Sequence, residues 1–192
     1  LGICVGNTLD VLEALEVLRG TGPEDVTELA VELGAYMLML GKVVADVAQG
    51  RQKMRQVLAD GSALQKFQQL VRLQGGNPEV IADPSKFQRA THQTAIMVQR
   101  TGYVQAIHSE AVGIASMLLG AGRERIDATI DHAAGMILKK KVGDAVSSGE
   151  VLCVLEYNDP TRLDQAIQLI EQAYIIGNTP PNKMPLIKRV IK

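Results

Sequence analysis

The sequence predicts a mixed α+β fold, in which a helical layer is followed by a small β-rich domain. Apolar residues recur every three or four positions through the first seventy residues, which is the period of an amphipathic helix. Runs of β-branched residues between Gly-rich turns replace this pattern later in the chain. Asn77-Pro78 and Asp83-Pro84 interrupt regular structure between the two regions. We therefore predict a helical segment over 1–84 and a C-terminal α+β domain over 85–192.

The helical segment is predicted to contain four helices. The first begins at the N-cap candidates Asn7 and Thr8, and Gly20 stands where a C-cap glycine belongs. The second opens at Pro23 with acidic residues in its first turn. The third and fourth are expected over 46–59 and 62–73. The apolar positions of the second helix predict one continuous buried face: Val26, Leu29, Ala30, Leu33, Met37, Leu40 and Val44.

Short strands and tight turns dominate the stretch from Gly102 to Tyr157. Gly143-Asp144 and Gly149-Glu150 permit the positive φ of a tight reversal, so the pattern predicts consecutive hairpins. The spacing of these residues resembles a half-motif of the biotinyl/lipoyl barrel-sandwich fold, and the domain is expected to be barrel-sandwich-like. A carrier role would follow from that resemblance, but the nearby lysines, Lys139 to Lys141, lack the usual hairpin context. A β-domain that packs against another element is favoured.

Composition excludes several classes of function. The net charge is −1, from 20 basic and 21 acidic residues, so the chain carries no electrostatic footprint for nucleic acid or a membrane surface. Aromatic residues make up 3% and tryptophan is absent, which argues against base-stacking platforms. No apolar run is long enough to span a membrane. Cys4 and Cys153 lack metal-type spacing, which favours reduced thiols of an intracellular protein, with a disulfide as the alternative.

The residues alone predict no active site. His92, His108 and His132 have no cysteine, histidine or carboxylate at ligand spacing, so structural or surface roles are favoured over zinc binding. The run from Gly120 to Arg123 resembles a phosphate loop, but it ends a predicted helix instead of starting one, and a C-cap turn is favoured. No nucleophile–base pair or carboxylate pair stands out.

Taken in order, these segments resemble the C-terminal portion of the pyrimidine nucleoside phosphorylase and thymidine phosphorylase family. The matching stretches extend over nearly the full length: 1–14, 22–29, 74–76, 102–104, 119–123 and 140–150. The resemblance implies a cytoplasmic pentosyltransferase that uses phosphate to cleave thymidine, uridine or deoxyuridine to the base and a pentose 1-phosphate. It also implies a homodimer formed through a helical domain that this chain lacks.

The family's phosphate-binding glycine-rich segment and its base-binding residues match nothing in this sequence. The resemblance therefore implies a part of a phosphorylase that is inactive alone. It implies one site in part, a monovalent cation (potassium) held by the carbonyls of Leu1 and Cys4 and the carboxylate of Glu13. Such a site suits a hard cation, which prefers oxygen ligands. A non-catalytic binding or scaffolding module that uses the barrel-sandwich domain is the alternative.

Overall fold

The computed structural model of the chain describes residues 1–182 and 184–191. It has the α+β class that the sequence predicts, with helices and two antiparallel sheets. The chain divides into two compact units. The helical unit consists of residues 1–2, 12–87 and 185–191, and the β-rich unit consists of residues 3–11, 88–182 and 184. Within the described residues, no helix is long and apolar enough to cross a membrane.

Four helices dominate the first half of the chain, as predicted. They are α1 (Asn7–Leu18), α2 (Glu24–Leu40), α3 (Val47–Ala59) and α4 (Ser62–Leu73). Asp46 caps α3, because its side chain accepts a 2.8 Å hydrogen bond from the backbone N–H of Gln49. The connector that follows holds only a short helix, α5 (Glu79–Ala82), and a 3₁₀ turn (Pro84–Lys86).

The packing of α2 differs from the prediction. Its buried residues are Val31 and Ala35, and this side of the helix packs against α3. Gly50 of α3 is buried against Ala35, so the small residue is what allows the two helices to approach. The predicted continuous buried face is wrong for four residues, which are exposed: Ala30, Leu33, Met37 and Leu40.

The β-rich unit is built from two open antiparallel sheets, and no closed barrel forms among the described residues. One sheet has the order β1–β4–β6–β2 and the other the order β5–β3–β7. The strands are β1 (Cys4–Val5), β2 (His92–Met97), β3 (Gly102–Ile107), β4 (Gly135–Leu138), β5 (Ala145–Val146), β6 (Val151–Tyr157) and β7 (Tyr174–Gly177). Two helices, α6 (Ser109–Ser116) and α7 (Leu163–Ala173), pack against each other, and their buried side chains join the core of this unit.

The turns at Gly143 and Gly149 do not form the expected hairpins. Both glycines have positive φ, of 99° and 88°, as the turn prediction required. However, β5 pairs with β3, whereas β4 pairs with β6. Each turn therefore carries the chain from one sheet to the other.

Candidate functional site

Glu13, the predicted cation ligand, lies directly against the amino-terminal segment of the helical unit. Gly2 has a φ of 68°, and a Cβ atom added to it would lie only 2.1 Å from Oε2 of Glu13. Glu13 itself is buried, although it stands on the exposed-looking side of α1 in the sequence pattern. The structure thus brings the Glu13 carboxylate beside the peptide that follows Leu1, whose own side chain is exposed.

A second carboxylate, which sequence reasoning did not select, lies at the same segment. The backbone N–H of Gly2 donates a 3.0 Å hydrogen bond to Oδ2 of Asp25. The sequence offers an ordinary role for Asp25, an acid in the first turn of α2, so only the tertiary structure reveals this contact. Two carboxylates and the backbone of Leu1 and Gly2 form an oxygen-rich, acidic environment, which fits a hard cation better than an anion.

Cys4, the other predicted ligand, belongs to the β-rich unit. It lies in β1 opposite Ile137 of β4, and the N–H of Leu138 donates a 2.7 Å hydrogen bond to the carbonyl of Ile3. The backbone of Cys4 and Val5 is therefore held by pairing with β4.

All three histidines are exposed: His92, His108 and His132. His92 stacks on Tyr157, with ring centroids 5.5 Å apart, and Thr94 and Tyr157 share a 3.0 Å hydrogen bond between their hydroxyls. Across residues 1–182 and 184–191, no group of three histidine, cysteine, aspartate or glutamate side chains is placed to hold a metal ion.

The Gly120–Arg123 segment terminates a helix. Gly120 has a φ of 107° in the π-helical turn Met117–Ala121 that follows α6. The carbonyl of Ala121 accepts a 2.9 Å hydrogen bond from the Asn7 amide, and Arg123 donates to the carbonyl of Ile126. The positive φ at the end of a helix is what the predicted C-cap turn requires.

The lysine run is partly engaged in ion pairing. Nζ of Lys140 lies 2.8 Å from Oε2 of Glu150, and this hydrogen bond lowers the pKa of the Glu150 carboxyl. The carbonyl of Lys140 also accepts a hydrogen bond from the Tyr174 hydroxyl. A carrier lysine must project from a hairpin tip, and Lys140 instead lies beside its ion-pair partner.

A cavity of about 340 Å³ opens on the β-rich unit, between the end of β2 and strand β7. Its walls combine apolar side chains such as Leu152 and Ile176 with Arg100 and Glu171. The guanidinium of Arg100 donates to the carbonyl of Ile176, so this charge already has a partner inside the unit.

Comparison of the sequence with known proteins shows which family the chain resembles. A family model described as the pyrimidine nucleoside phosphorylase C-terminal domain matches residues 103–177. The pyrimidine-nucleoside phosphorylase of Geobacillus stearothermophilus is 40% identical over 187 residues, which cover 97% of this chain and 43% of that protein. The Bacillus subtilis enzyme of the same name is 41% identical, over 87% of this chain and 38% of its own length. The chain is similar to the C-terminal portion of the pyrimidine-nucleoside phosphorylases.

The range matched by the family model begins within β3 and ends with β7. The chain spans about two-fifths of the length of the curated relatives that it matches. Much of a complete pyrimidine-nucleoside phosphorylase therefore has no counterpart in these 192 residues.

Proposed function

We propose that this chain is the C-terminal part of an enzyme that cleaves pyrimidine nucleosides with phosphate. In that reaction a phosphate oxygen forms a bond to C1′ of the pentose while the bond from C1′ to the base nitrogen breaks. The products are the free base and a pentose 1-phosphate. Thymidine, uridine and deoxyuridine are the proposed substrates, and the residues that bind base and phosphate are supplied by the part of the enzyme outside this chain.

One observation carries the proposal: nearly the whole chain aligns with the Geobacillus phosphorylase, yet it covers only 43% of that protein. We further propose that the chain is inactive alone, and the position of Gly120 supports this. Tight phosphate binding uses backbone N–H groups at the start of a helix, whereas Gly120 stands at the end of one.

Activity measurements test this proposal directly. The chain alone and a chimera, in which the chain replaces its aligned region in the Geobacillus enzyme, are each assayed for phosphate-dependent release of uracil from uridine. The chain alone should release no base above the uncatalysed rate, and the chimera should be active. Release of base by the isolated chain, or a folded chimera without activity, would contradict the proposal.

We further propose that Leu1 and Glu13, with Cys4, contribute to a monovalent cation site, potassium being the expected ion. Support comes from the Glu13 carboxylate, which lies against Gly2 and beside the Asp25 contact. The cation would fix the amino-terminal segment by neutralising the carboxylate. Thermal unfolding of the chimera in potassium chloride and in tetramethylammonium chloride tests this, since Glu13→Gln should abolish the potassium-dependent part of the stabilisation.

The same proposal assigns the partners. A homodimer would form through the portion of the enzyme outside this chain, and the base preference would be set there as well. A cytoplasmic location is part of the proposal, carried over from the family resemblance. Light scattering on the chimera and on the isolated chain tests the dimer, because only the chimera is expected to be dimeric.

A further inference from the structure

Helix α2 exposes a row of large apolar side chains on the side turned away from α3. Leu33, Met37 and Leu40 are 57%, 71% and 75% exposed, and we call these three residues the α2 stripe. They follow one another at intervals of four and three residues, so they form a single line along the helix. Val43, just past the end of the helix, is exposed as well.

The opposite side of α2 is already occupied. Val31 and Ala35 are buried, Ala35 packs on Gly50 of α3, and Gly34 packs on Met54. The α2 stripe is therefore separate from the side of α2 that packs within the helical unit, because that packing uses a different set of residues. Helix α2 has two apolar sides, a pattern that is typical of a helix covered by other elements on both sides.

The spacing of the α2 stripe is that of a helix-packing seam. Alternating steps of three and four residues place side chains where they interlock with a facing element. Single exposed apolar residues are common on soluble proteins, but a contiguous line of three long ones indicates an interaction surface.

We infer that the α2 stripe is the surface on which the catalytic part of the phosphorylase, absent from this chain, docks through apolar side chains of its own. This inference rests on the proposed function. Helix α2 lies within the region that aligns with the Geobacillus enzyme, and more than half of that enzyme lies outside the alignment. A large protein body is thus connected to this chain in the relatives, and the α2 stripe is an apolar surface of the helical unit that needs a cover.

The charge at the middle of α2 does not oppose an apolar cover. The carboxylate nearest the middle of α2, Glu32, is held by Arg51 through two hydrogen bonds of 2.5 and 2.7 Å. Since this acid is engaged with α3, the α2 stripe can be covered without burying the Glu32 charge unpaired.

Thiol labelling tests the inference. Met37→Cys and a matched control, Leu73→Cys on α4, are made in the isolated chain and in the chimera with the Geobacillus enzyme. Leu73 is 77% exposed, which matches Met37, but it lies outside the α2 stripe. Maleimide reaction rates are followed by peptide-resolved mass spectrometry, which separates the introduced thiols from Cys4 and Cys153.

In the isolated chain both introduced thiols should react at similar rates. In the chimera Met37→Cys should react at least about tenfold more slowly, because a buried thiol is inaccessible to the reagent, while Leu73→Cys should be unchanged. Equal rates for Met37→Cys in the two proteins would overturn the inference. Protection of Met37→Cys that appears in the isolated chain, rises with its concentration and accompanies dimer formation would also overturn it and assign the α2 stripe to a second copy.

Two further measurements keep the outcome decisive. If the chimera does not fold, cysteines are placed in the Geobacillus enzyme itself at the positions aligned with Met37 and Leu73, and the same rates are compared. Uridine cleavage by the chimera is scored separately from labelling. A protected but inactive chimera would count against the proposed function alone, whereas an active chimera with an unprotected Met37→Cys would count against the docking surface alone.

Discussion

Gly50 of α3 packs directly on the backbone of Ala35 of α2. A Cβ atom at Gly50 would lie 2.7 Å from the Ala35 carbonyl oxygen and 2.8 Å from its Cα. These distances are too short for non-bonded contact, and backbone atoms cannot move aside as a flexible side chain can. The contact fixes how closely two helices of the helical unit approach.

Replacement of Gly50 by alanine should therefore destabilise the chain. Overpacking of this kind costs about 1–3 kcal/mol, which exceeds the gain of about 0.5–1 kcal/mol from the better helix propensity of alanine. Gly113→Ala in α6 is the matched control, because nothing lies within 4 Å of a Cβ there and the substitution should be neutral or stabilising. Urea denaturation of both variants measures the difference. Equal stability of the two variants would show that α2 and α3 are not held this closely.

The Glu32 carboxyl, which pairs with Arg51, should titrate at a lower pH than an ordinary glutamate. The hydrogen bond from Arg51 lowers the pKa of Glu32 from its usual 4.5. Because the folded-state pKa of Glu32 is lowered, the pair contributes its full stabilisation above pH 4.5. That contribution is lost as the pH falls through the folded-state pKa. NMR titration of the Glu32 carboxyl should give a midpoint below 4.5, and Arg51→Gln should raise it. A midpoint that Arg51→Gln leaves unchanged would contradict the pairing.

Cys153 should behave as an unreactive thiol. It is fully buried in β6, and burial raises its pKa to about 12. The unfolded chain releases this proton near 9.0, so the stability that the neutral thiol contributes is complete below that pH and declines as the pH rises toward 12. Burial raises the pKa of Tyr174 as well, and this adds to the decline.

Alkylation at mildly alkaline pH, resolved by peptide, measures the reactivity of Cys153 in the folded chain. Modification should appear only when denaturant is added. The Cys153→Ala variant provides the control for stability, since its free energy of unfolding should fall less steeply between pH 9.0 and about 12 than that of the original chain. Rapid modification without denaturant would contradict the burial of β6.

Glu156 places a carboxylate inside the β-rich unit. Its side chain is 1% exposed, and Oε1 accepts hydrogen bonds from Arg89 at 2.6 Å and Gln93 at 3.1 Å. Arg89→Ala leaves this carboxylate without its counter-charge, and breaking a buried pair costs about 3–5 kcal/mol. Because Arg89 is partly exposed, we expect a loss toward the lower end of that range.

The control for this pair is Gln93→Ala, which removes one neutral donor and should cost only about 0.5–1.5 kcal/mol. The double variant Arg89→Met with Glu156→Leu should recover most of the stability lost in Arg89→Ala, because no buried charge remains. Chemical denaturation of the three variants gives the comparison. If the double variant is less stable than Arg89→Ala, the expectation is wrong. The ion pair would then contribute more to stability than a pair of apolar side chains in its place.

Local signals in the sequence were sufficient for the helices. Helix α4 begins and ends where predicted, at Ser62 and Leu73, because Gly61 and Gly75 mark both sides with positive φ. Strand partners could not be predicted in the same way. β5 pairs with β3, about forty residues earlier, and no local pattern encodes such a distant contact. Strand β7 was missed because it follows α7 without an intervening turn signal.

In the candidate site, too, distant contacts could not be predicted from local sequence signals. Glu13 was selected through the family resemblance, and the structure places its carboxylate against Gly2. The Asp25 contact was not selected, since its residue type and position have a sufficient local explanation at the start of α2. Exposure of Met37 was also not predictable, because an apolar stripe in a sequence shows that a face is covered without showing which part of a protein covers it.

Strand β1 has a practical consequence for anyone who wishes to excise the β-rich unit. Cys4 and Val5 supply the outer partner of β4, yet more than eighty residues of sequence separate them from β2. A piece cut at residue 88 would retain most of the unit but leave the backbone of Met136 and Ile137 without its hydrogen-bonding neighbour, and bare edges of this kind recruit other chains. A well-behaved excised version would have to graft Ile3 to Val5 back on through a linker.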